Sequence, residues 1–407
     1  MAIGVVGLGY VGLPLAVAFA EAGEQVVAVD VDKGKLDAIK RGESYVGDVS
    51  SARLSAVEIS ASDDYTSLAG TDAILICVPT PLTPNREPEL GPLQATAASL
   101  APVVSAGQLI VLESTTYPGT TRELLAPALG RDDLHIAFSP ERVDPGRSDY
   151  TLANTPKVIG ALTPEALARA HALYSKVCEQ IVEVSTPEAA ELTKLLENIF
   201  RSVNIALVNE LAMLADRMGI DIWEVVDAAA TKPYGFMPFK PGPGMGGHCL
   251  PVDPFYLTWR AREFHTSTEF IELAGKINQE MPIHCVERIE RALNDVAKPI
   301  KGSKLAILGV AYKGGVSDTR ESPAIRILEQ LQARGADLSY HDPYVPELAD
   351  LGLSSAPLGT AVADADAVVL VTAHPGIDHL TLAREAALFV DLRGITRGLS
   401  AENLVRL

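Results

Sequence analysis

The sequence predicts an α/β protein with two doubly wound domains, joined by a long central helix and a helical segment. Three observations carry that expectation. The first thirty residues read as strand, glycine turn, helix and strand; helical spacing then runs for nearly thirty residues without a breaker after Pro187; and the strand, helix, strand pattern returns from Lys304.

In chain order, the opening unit is a strand at Ile3–Val6, the turn Gly7-Leu8-Gly9-Tyr10-Val11-Gly12, a helix at Pro14–Ala22 and a strand at Gln25–Val29 closed by Asp30. Apolar runs at Ala73–Val78, Leu109–Leu112 and His135–Phe138 alternate with helical segments, the pattern of a parallel sheet. This first domain is expected over residues 1–185. Thr186-Pro187-Glu188 then combines a hydroxyl cap, a proline in the first turn and an early acid, which marks a helix start. Leu192, Leu195, Leu196, Ile199, Val203, Ala206, Leu207, Leu211 and Leu214 keep helical spacing up to Met218-Gly219. Ile222–Ala230 and Thr268–Leu293 are read as further helices of a segment at 186–298. Its apolar faces lead to the expectation of a homodimer. From 299 to 407 a third domain is expected, with a strand at Lys304–Val310, a helix at Ser322–Arg334 and a strand at Asp337–Tyr340 followed by Asp342. Its turn, Gly309-Val310-Ala311-Tyr312-Lys313, lacks the glycines that admit a pyrophosphate, so it is read as substrate-side.

The 407 residues exceed one ordinary core, in agreement with two or three domains. Hydrophobic residues make up 47% of the chain, yet no run approaches the length of a membrane span, so no membrane partner is expected. A formal net charge of −18 argues against a surface that grips nucleic acid. Residues 1–6 lead into the first strand without the pattern of a secretory signal, and a cytoplasmic location is expected. Cys77, Cys178, Cys249 and Cys285 show no metal-ligand spacing, and no metal is expected. Cys77, Cys178 and Cys285 are read as buried small side chains, whereas Cys249 is read as part of a glycine-rich loop.

The chemistry is read from three places. In the first turn Gly7 permits the bend, Gly9 admits a dinucleotide pyrophosphate and Gly12 allows close packing of the helix on the strand. Asp30, eighteen residues after Gly12, stands where a carboxylate accepts ribose hydroxyls, which favours NAD over NADP. A thiol beside such a cofactor attacks an aldehyde, and the thiohemiacetal is oxidised to a thioester that water hydrolyses. Cys249 suits that role, with Asp253 to organise water or a cation and with His248 as a candidate base. Lys194 and Asn198, four apart on the long helix, present a cation and an amide together.

These residues resemble the UDP-glucose/GDP-mannose dehydrogenase family, NAD-dependent enzymes that oxidise a nucleotide sugar at C6 to a uronic acid. The resemblance rests on GLGYVGLP at 7–14, STTYPGTT at 114–121, SPERVDPG at 139–146, ELTKLLENIFRSVNIALVNE at 191–210, PGPGMGGHCLPVDP at 241–254 and GVAYKGGVSDTRESPA at 309–324. It implies two Rossmann-like domains joined by a long helix and a helical dimerisation segment. It also implies Cys249 as nucleophile, Lys194 as the cation that stabilises the oxyanion, Asn198 as ligand of substrate or water and Asp253 as the carboxylate that organises water. Glu141 would act in the hydrolytic half and Thr115 would position water. The cofactor set would be Gly7, Gly9, Tyr10, Val11, Gly12, Asp30, Thr80 and Thr115. The nucleotide-sugar substrate would meet Glu141, Lys194, Asn198, Gly246, Lys313, Arg320 and Arg393. A second acid, frequent four residues after the first in UDP-glucose dehydrogenases, is replaced here by Pro145. CVPTPLTPNREPEL at 77–90 and the blocks around Glu141, Asn198 and Cys249 resemble the branch acting on UDP-N-acetylhexosamines, which points to UDP-N-acetylglucosamine or UDP-N-acetylmannosamine. UDP-glucose or a dTDP-sugar stays open, as do a two-electron dehydrogenase of the β-hydroxyacid kind and a non-catalytic NAD-binding sensor.

Overall fold

The computed structural model describes residues 1–83, 85–144, 149–247 and 249–407, the side chain of Cys249 excepted. They divide into two compact units, Met1–Glu197 with Phe255–Ser267, and Asn198–Pro254 with Thr268–Leu407. No helix among the described residues is long and apolar enough to cross a membrane.

The first unit is built on an eight-stranded sheet. Its strands, in spatial order, are Ile59–Ser62, Gln25–Val29, Ala2–Val6, Ala73–Ile76, Leu109–Leu112, His135–Phe138, Lys157–Ala161 and Ile181–Glu183. Strands Ala73–Ile76 and Leu109–Leu112 are buried at every residue, which is why they read as unbroken apolar runs. The pairing is parallel with one exception: Lys157–Ala161 runs antiparallel to His135–Phe138. A parallel return needs a helical crossover, and the described residues between these two strands form none.

In the second unit a five-stranded parallel sheet has the order Asp337–His341, Lys304–Leu308, Ala367–Leu370, Phe389–Asp391, Leu404–Arg406. Helices Glu269–Asp295 and Pro323–Ala333 pack on it through Met281, Val286, Ile289, Ile327 and Leu331. Both halves are thus α/β and doubly wound, as the sequence predicts.

The long helix runs over 32 residues, Pro187–Met218, with the Thr186 hydroxyl accepting the Ala189 amide at 3.2 Å as its cap. Its burial inverts the usual order. Glu191, Lys194, Asn198, Ser202 and Asn209 are buried, while Leu192, Leu196, Phe200, Leu207, Leu211, Leu214 and Met218 are exposed. Leu195, Val208 and the small residues Ala206, Ala212 and Ala215 are buried as well.

One expectation needs correction. Cys249 does not lie within a loop: it opens a helix, Cys249–Glu263, directly after the glycine run. Pro251 sits in the first turn of that helix, where a missing amide costs no intrahelical bond, so a Pro-rich stretch that reads as loop continues as helix. His248 and Pro145 lie outside the described residues.

Candidate active site

The glycines of the first turn divide by what surrounds them. Gly7 has φ +89, and a Cβ there would stand 2.6 Å from the Cys77 carbonyl oxygen. At Gly12, the first residue of the helix Gly12–Glu21, a Cβ would stand 1.8 Å from the Gly7 oxygen. Gly9 has nothing within 4 Å of its Cβ position, so its backbone faces open space just before a helix amino terminus. That geometry fits a dinucleotide: Gly9 leaves room beside a positive helix end, and neighbouring backbone forbids side chains at the other two glycines.

Asp30 is 6% exposed and secures the turn, with Oδ2 accepting the Leu8 amide at 2.7 Å and Oδ1 the Asp32 amide at 2.9 Å. Lys35 Nζ approaches the same Oδ2 at 3.1 Å, and the Tyr45 hydroxyl donates to the Leu8 carbonyl at 2.7 Å. Sequence reasoning missed both. Lys35 carries a legible signal, a cation five residues after Asp30; Tyr45 carries none. Tyr10 is 44% exposed and Val11 precedes the helix without a side-chain cap. Thr80 donates to the Thr115 carbonyl at 2.7 Å, and the Tyr256 hydroxyl donates to the Thr80 carbonyl at 2.6 Å, so two of the predicted residues are joined.

Also in the first unit, Glu141 and Lys194 meet. Lys194, 7% exposed, donates from Nζ to the Glu141 carbonyl at 2.5 Å. The Glu141 carboxylate accepts the amides of Arg142 and Val143 at 2.7 and 2.6 Å and lies 3.6 Å from Lys157 Nζ. Burial pushes its pKa up, but Lys157, the two amides and Lys194 outweigh burial, and the carboxyl is held below its ordinary range. Lys157 was not singled out in the sequence. Glu191, one turn before Lys194, accepts Gly119 N at 2.6 Å, Thr121 N at 2.9 Å and Thr121 Oγ1 at 2.7 Å, and burial pushes its carboxyl up to about 7.

In the second unit Asn198 and Asp253 form a buried pair. Asn198 Nδ2 donates to Asp253 Oδ2 at 2.5 Å, with the two residues 0% and 1% exposed. Arg201, one turn along, donates to the Asn198 oxygen and so fixes which way the amide faces. Asp253 stands one turn after Cys249 on the helix that the cysteine opens. The side chain of Cys249 lies outside the description.

The glycine run before it is held closely. A Cβ at Gly246 would come within 2.6 Å of Tyr312 Cβ, and the Gly247 amide donates to the Arg320 carbonyl at 2.9 Å. Gly242 donates to Asn209 Oδ1 at 3.0 Å, and a Cβ on it would meet Arg393 Nη1 at 3.2 Å. Burial lowers the Arg393 guanidinium to about 10, and its Nε donates to the Val371 carbonyl at 2.6 Å. Arg320 is paired through its guanidinium with Asp318 at 2.7 Å. Lys313 is half-buried in the same loop.

The comparisons with known proteins agree with this picture. Residues 1–178 match the NAD binding domain of the UDP-glucose/GDP-mannose dehydrogenase family, 188–280 its central domain and 306–398 its UDP binding domain. The chain is 36% identical over 386 residues to the UDP-N-acetyl-D-mannosamine dehydrogenase of Pyrococcus horikoshii, spanning 92% of this chain and 90% of that protein. It is 33% identical to the UDP-N-acetyl-D-glucosamine 6-dehydrogenase of Pseudomonas aeruginosa, over 91% of this chain and 90% of that protein. A solved structure of the UDP-D-ManNAc dehydrogenase of Pyrococcus horikoshii superposes with a TM-score of 0.91 at 33% identity, covering 100% of this chain and 99% of that one.

Proposed function

This chain belongs to the UDP-glucose/GDP-mannose dehydrogenase family and is an NAD-dependent nucleotide-sugar dehydrogenase, and from that premise we propose that it oxidises the C6 alcohol of UDP-N-acetylglucosamine or UDP-N-acetylmannosamine to the uronic acid. The observation that carries acid formation is the buried pair of Asn198, from the long helix, and Asp253, from the helix opened by Cys249. An enzyme that stops at the aldehyde has no use for a buried carboxylate, held by an amide, one helical turn after a cysteine in sequence. The substrate reading is supported by the relatives named for N-acetylated UDP-hexosamines.

When bound, NAD accepts one hydride from C6 in each of two oxidations, so that alcohol, two NAD and one water become carboxylate, two NADH and three protons. Between the oxidations the Cys249 sulfur adds to the aldehyde carbon, a C–S bond forms and the carbonyl oxygen is protonated. Lys194 stabilises the oxygen as negative charge develops on it. After the second oxidation leaves a thioester, Asp253 and Asn198 orient water, with Thr115 positioning it, and Glu141 takes its proton. The C–S bond then breaks and the sulfur regains a proton. Gly246, Lys313, Arg320 and Arg393 are assigned to the substrate, and Gly7, Gly9, Tyr10, Val11, Gly12, Asp30, Thr80 and Thr115 to NAD.

The quaternary reading is a homodimer through the Pro187–Met218 helix. Its outward leucines, Phe200 and Met218 are 43 to 63% exposed while its small residues face inward, an arrangement suited to a second copy of the same helix. The test of function is NADH formed per sugar consumed, run on UDP-N-acetylglucosamine, UDP-N-acetylmannosamine, UDP-glucose and dTDP-glucose. Two NADH per sugar are expected on one of the first two. A ratio of one, or turnover confined to the last two, overturns the proposal. Cys249→Ser should form no acid while still binding the nucleotide sugar.

A further inference from the structure

A buried charge cluster in the first unit reaches Glu141, but its other members, Lys157, Glu113 and Tyr174, have no part in the roles assigned above. Lys157, 3% exposed at its side chain, donates from Nζ to Glu113 Oε2 at 2.7 Å and to the Pro140 carbonyl at 3.2 Å. The ammonium also stands 5.2 Å from the centre of the Tyr174 ring and 3.6 Å from Glu141 Oε2. Glu113 is fully buried, and the Tyr174 hydroxyl donates to its other oxygen. Glu113 is therefore committed to Lys157 and Tyr174, while Glu141 keeps 17% of its side chain exposed. Stability alone does not call for such a cluster, since apolar side chains of the same volume hold a fold as well or better than a buried ion pair.

We propose that Lys157 is a positioning residue for the hydrolytic half of the reaction: anchored by Glu113, it orients the Glu141 carboxylate and the Pro140–Glu141 peptide whose carbonyl holds Lys194. This rests on the role given to Glu141 above. The cations acting on Glu141 are Lys157 and Lys194, and the Glu113 carboxylate is coupled to it by repulsion. Lys157 in turn faces Glu113, Glu141 and the Cys178 thiol, while Cys77 and Tyr174 border the cluster through Glu113. The Arg142 guanidinium turns away, to the Pro156 carbonyl and Glu197. Burial pushes Glu141 up and Lys157 is the strongest influence opposing it. Without Lys157 the carboxylate takes up its proton at higher pH, and the acid limb of turnover moves up.

Lys157→Met alone would leave Glu113 buried and unpaired, so the variant of choice is Lys157→Met with Glu113→Gln, which removes both charges together. Its pH profile of kcat is read beside intact-mass detection of the acyl-enzyme. The acid limb is expected to rise by at least about one pH unit, a factor of ten at a fixed acidic pH, and the acylated protein to accumulate; Lys157→Arg should restore both. Glu113→Gln alone should move the limb the other way, because Lys157 then acts on Glu141 without competition. A limb that stays at the wild-type position in both variants overturns the proposal. Glu141→Gln separates the two layers: if it deacylates like wild type, the role of Glu141 itself falls, whereas slow deacylation there with unshifted Lys157 and Glu113 variants sinks the positioning role alone.

Discussion

The two strand-to-helix turns, one in each unit, start from the same plan and diverge. Gly7 and Gly309 both hold positive φ, +89 and +77, and a Cβ on either would strike a neighbouring strand's carbonyl oxygen, at 2.6 Å from Cys77 and 2.1 Å from Thr372. Asp30 and Asp342, each at the end of the next strand, accept amides of their turn: Leu8 for the first, Val310 and Ala311 for the second. After that the plans part. In the first turn the helix begins at Gly12 and Gly9 faces open space; in the second the helix waits until Pro323, and Asp342 is closed off by a fully buried His374 at 2.8 Å. The first glycine and the aspartate thus serve the turn in both units, whereas the openness around Gly9 is found in the first alone.

The sharpest way to break this comparison is to add a methyl at the shared glycine. Gly7→Ala and Gly309→Ala should each cost about 3 kcal/mol or more, since a positive φ and a sub-contact approach to backbone act together. Chemical unfolding measures it; a tolerant Gly309 would show that the second turn is not built on the same constraint. Next, Asp342→Asn should cost about 2 kcal/mol by breaking a buried charged hydrogen-bond network. Burial raises Asp342, but His374 and the amides of Ala311, Val310 and Tyr344 hold it below the ordinary carboxylate range. Its contribution is therefore fully present above about pH 4 and is lost as pH falls through the lower folded value. An acid-unfolding curve that is the same for wild type and Asp342→Asn contradicts this. The smallest effect on stability belongs to Gly9→Ala, expected within about 0.5 kcal/mol of wild type, yet NAD should bind about tenfold more weakly, some 1.4 kcal/mol. Undiminished NAD affinity would detach Gly9 from the cofactor. Asp30→Ala should weaken NAD and narrow its advantage over NADP, measured as the ratio of kcat/KM; equal use of both by the unmodified enzyme refutes the reading of Asp30.

What the sequence made legible follows from local physics. Leu109–Leu112 and His135–Phe138 were readable to the residue because central strands of the sheet are apolar at nearly every position. The long helix was readable from its cap and spacing. Its burial was not: periodicity marks a stripe of leucines but does not say whether they face a core or a partner. The Cys249–Glu263 helix was hidden by glycine and proline, and the antiparallel Lys157–Ala161 strand by a connection without a helix. Asn198 and Asp253 were picked out by pattern, 55 residues apart, but Arg201 beside them was not. Lys157 and Glu113 stand 44 residues apart with no motif joining them, so that pair becomes visible only when the sheet brings together the ends of two strands that flank His135–Phe138.

The inside-out helix carries a thermodynamic consequence. A chain that keeps Glu191, Lys194, Asn198 and Asn209 away from water while leaving Leu192, Leu196, Leu207, Leu211 and Leu214 in it has placed part of its folding free energy outside its own core. Whatever covers those leucines binds the folded form and not the unfolded one, so occupancy is linked to folding by mass action. If the cover is another copy of the chain, dilution acts as a denaturant, and the midpoint of thermal unfolding rises with the logarithm of protein concentration.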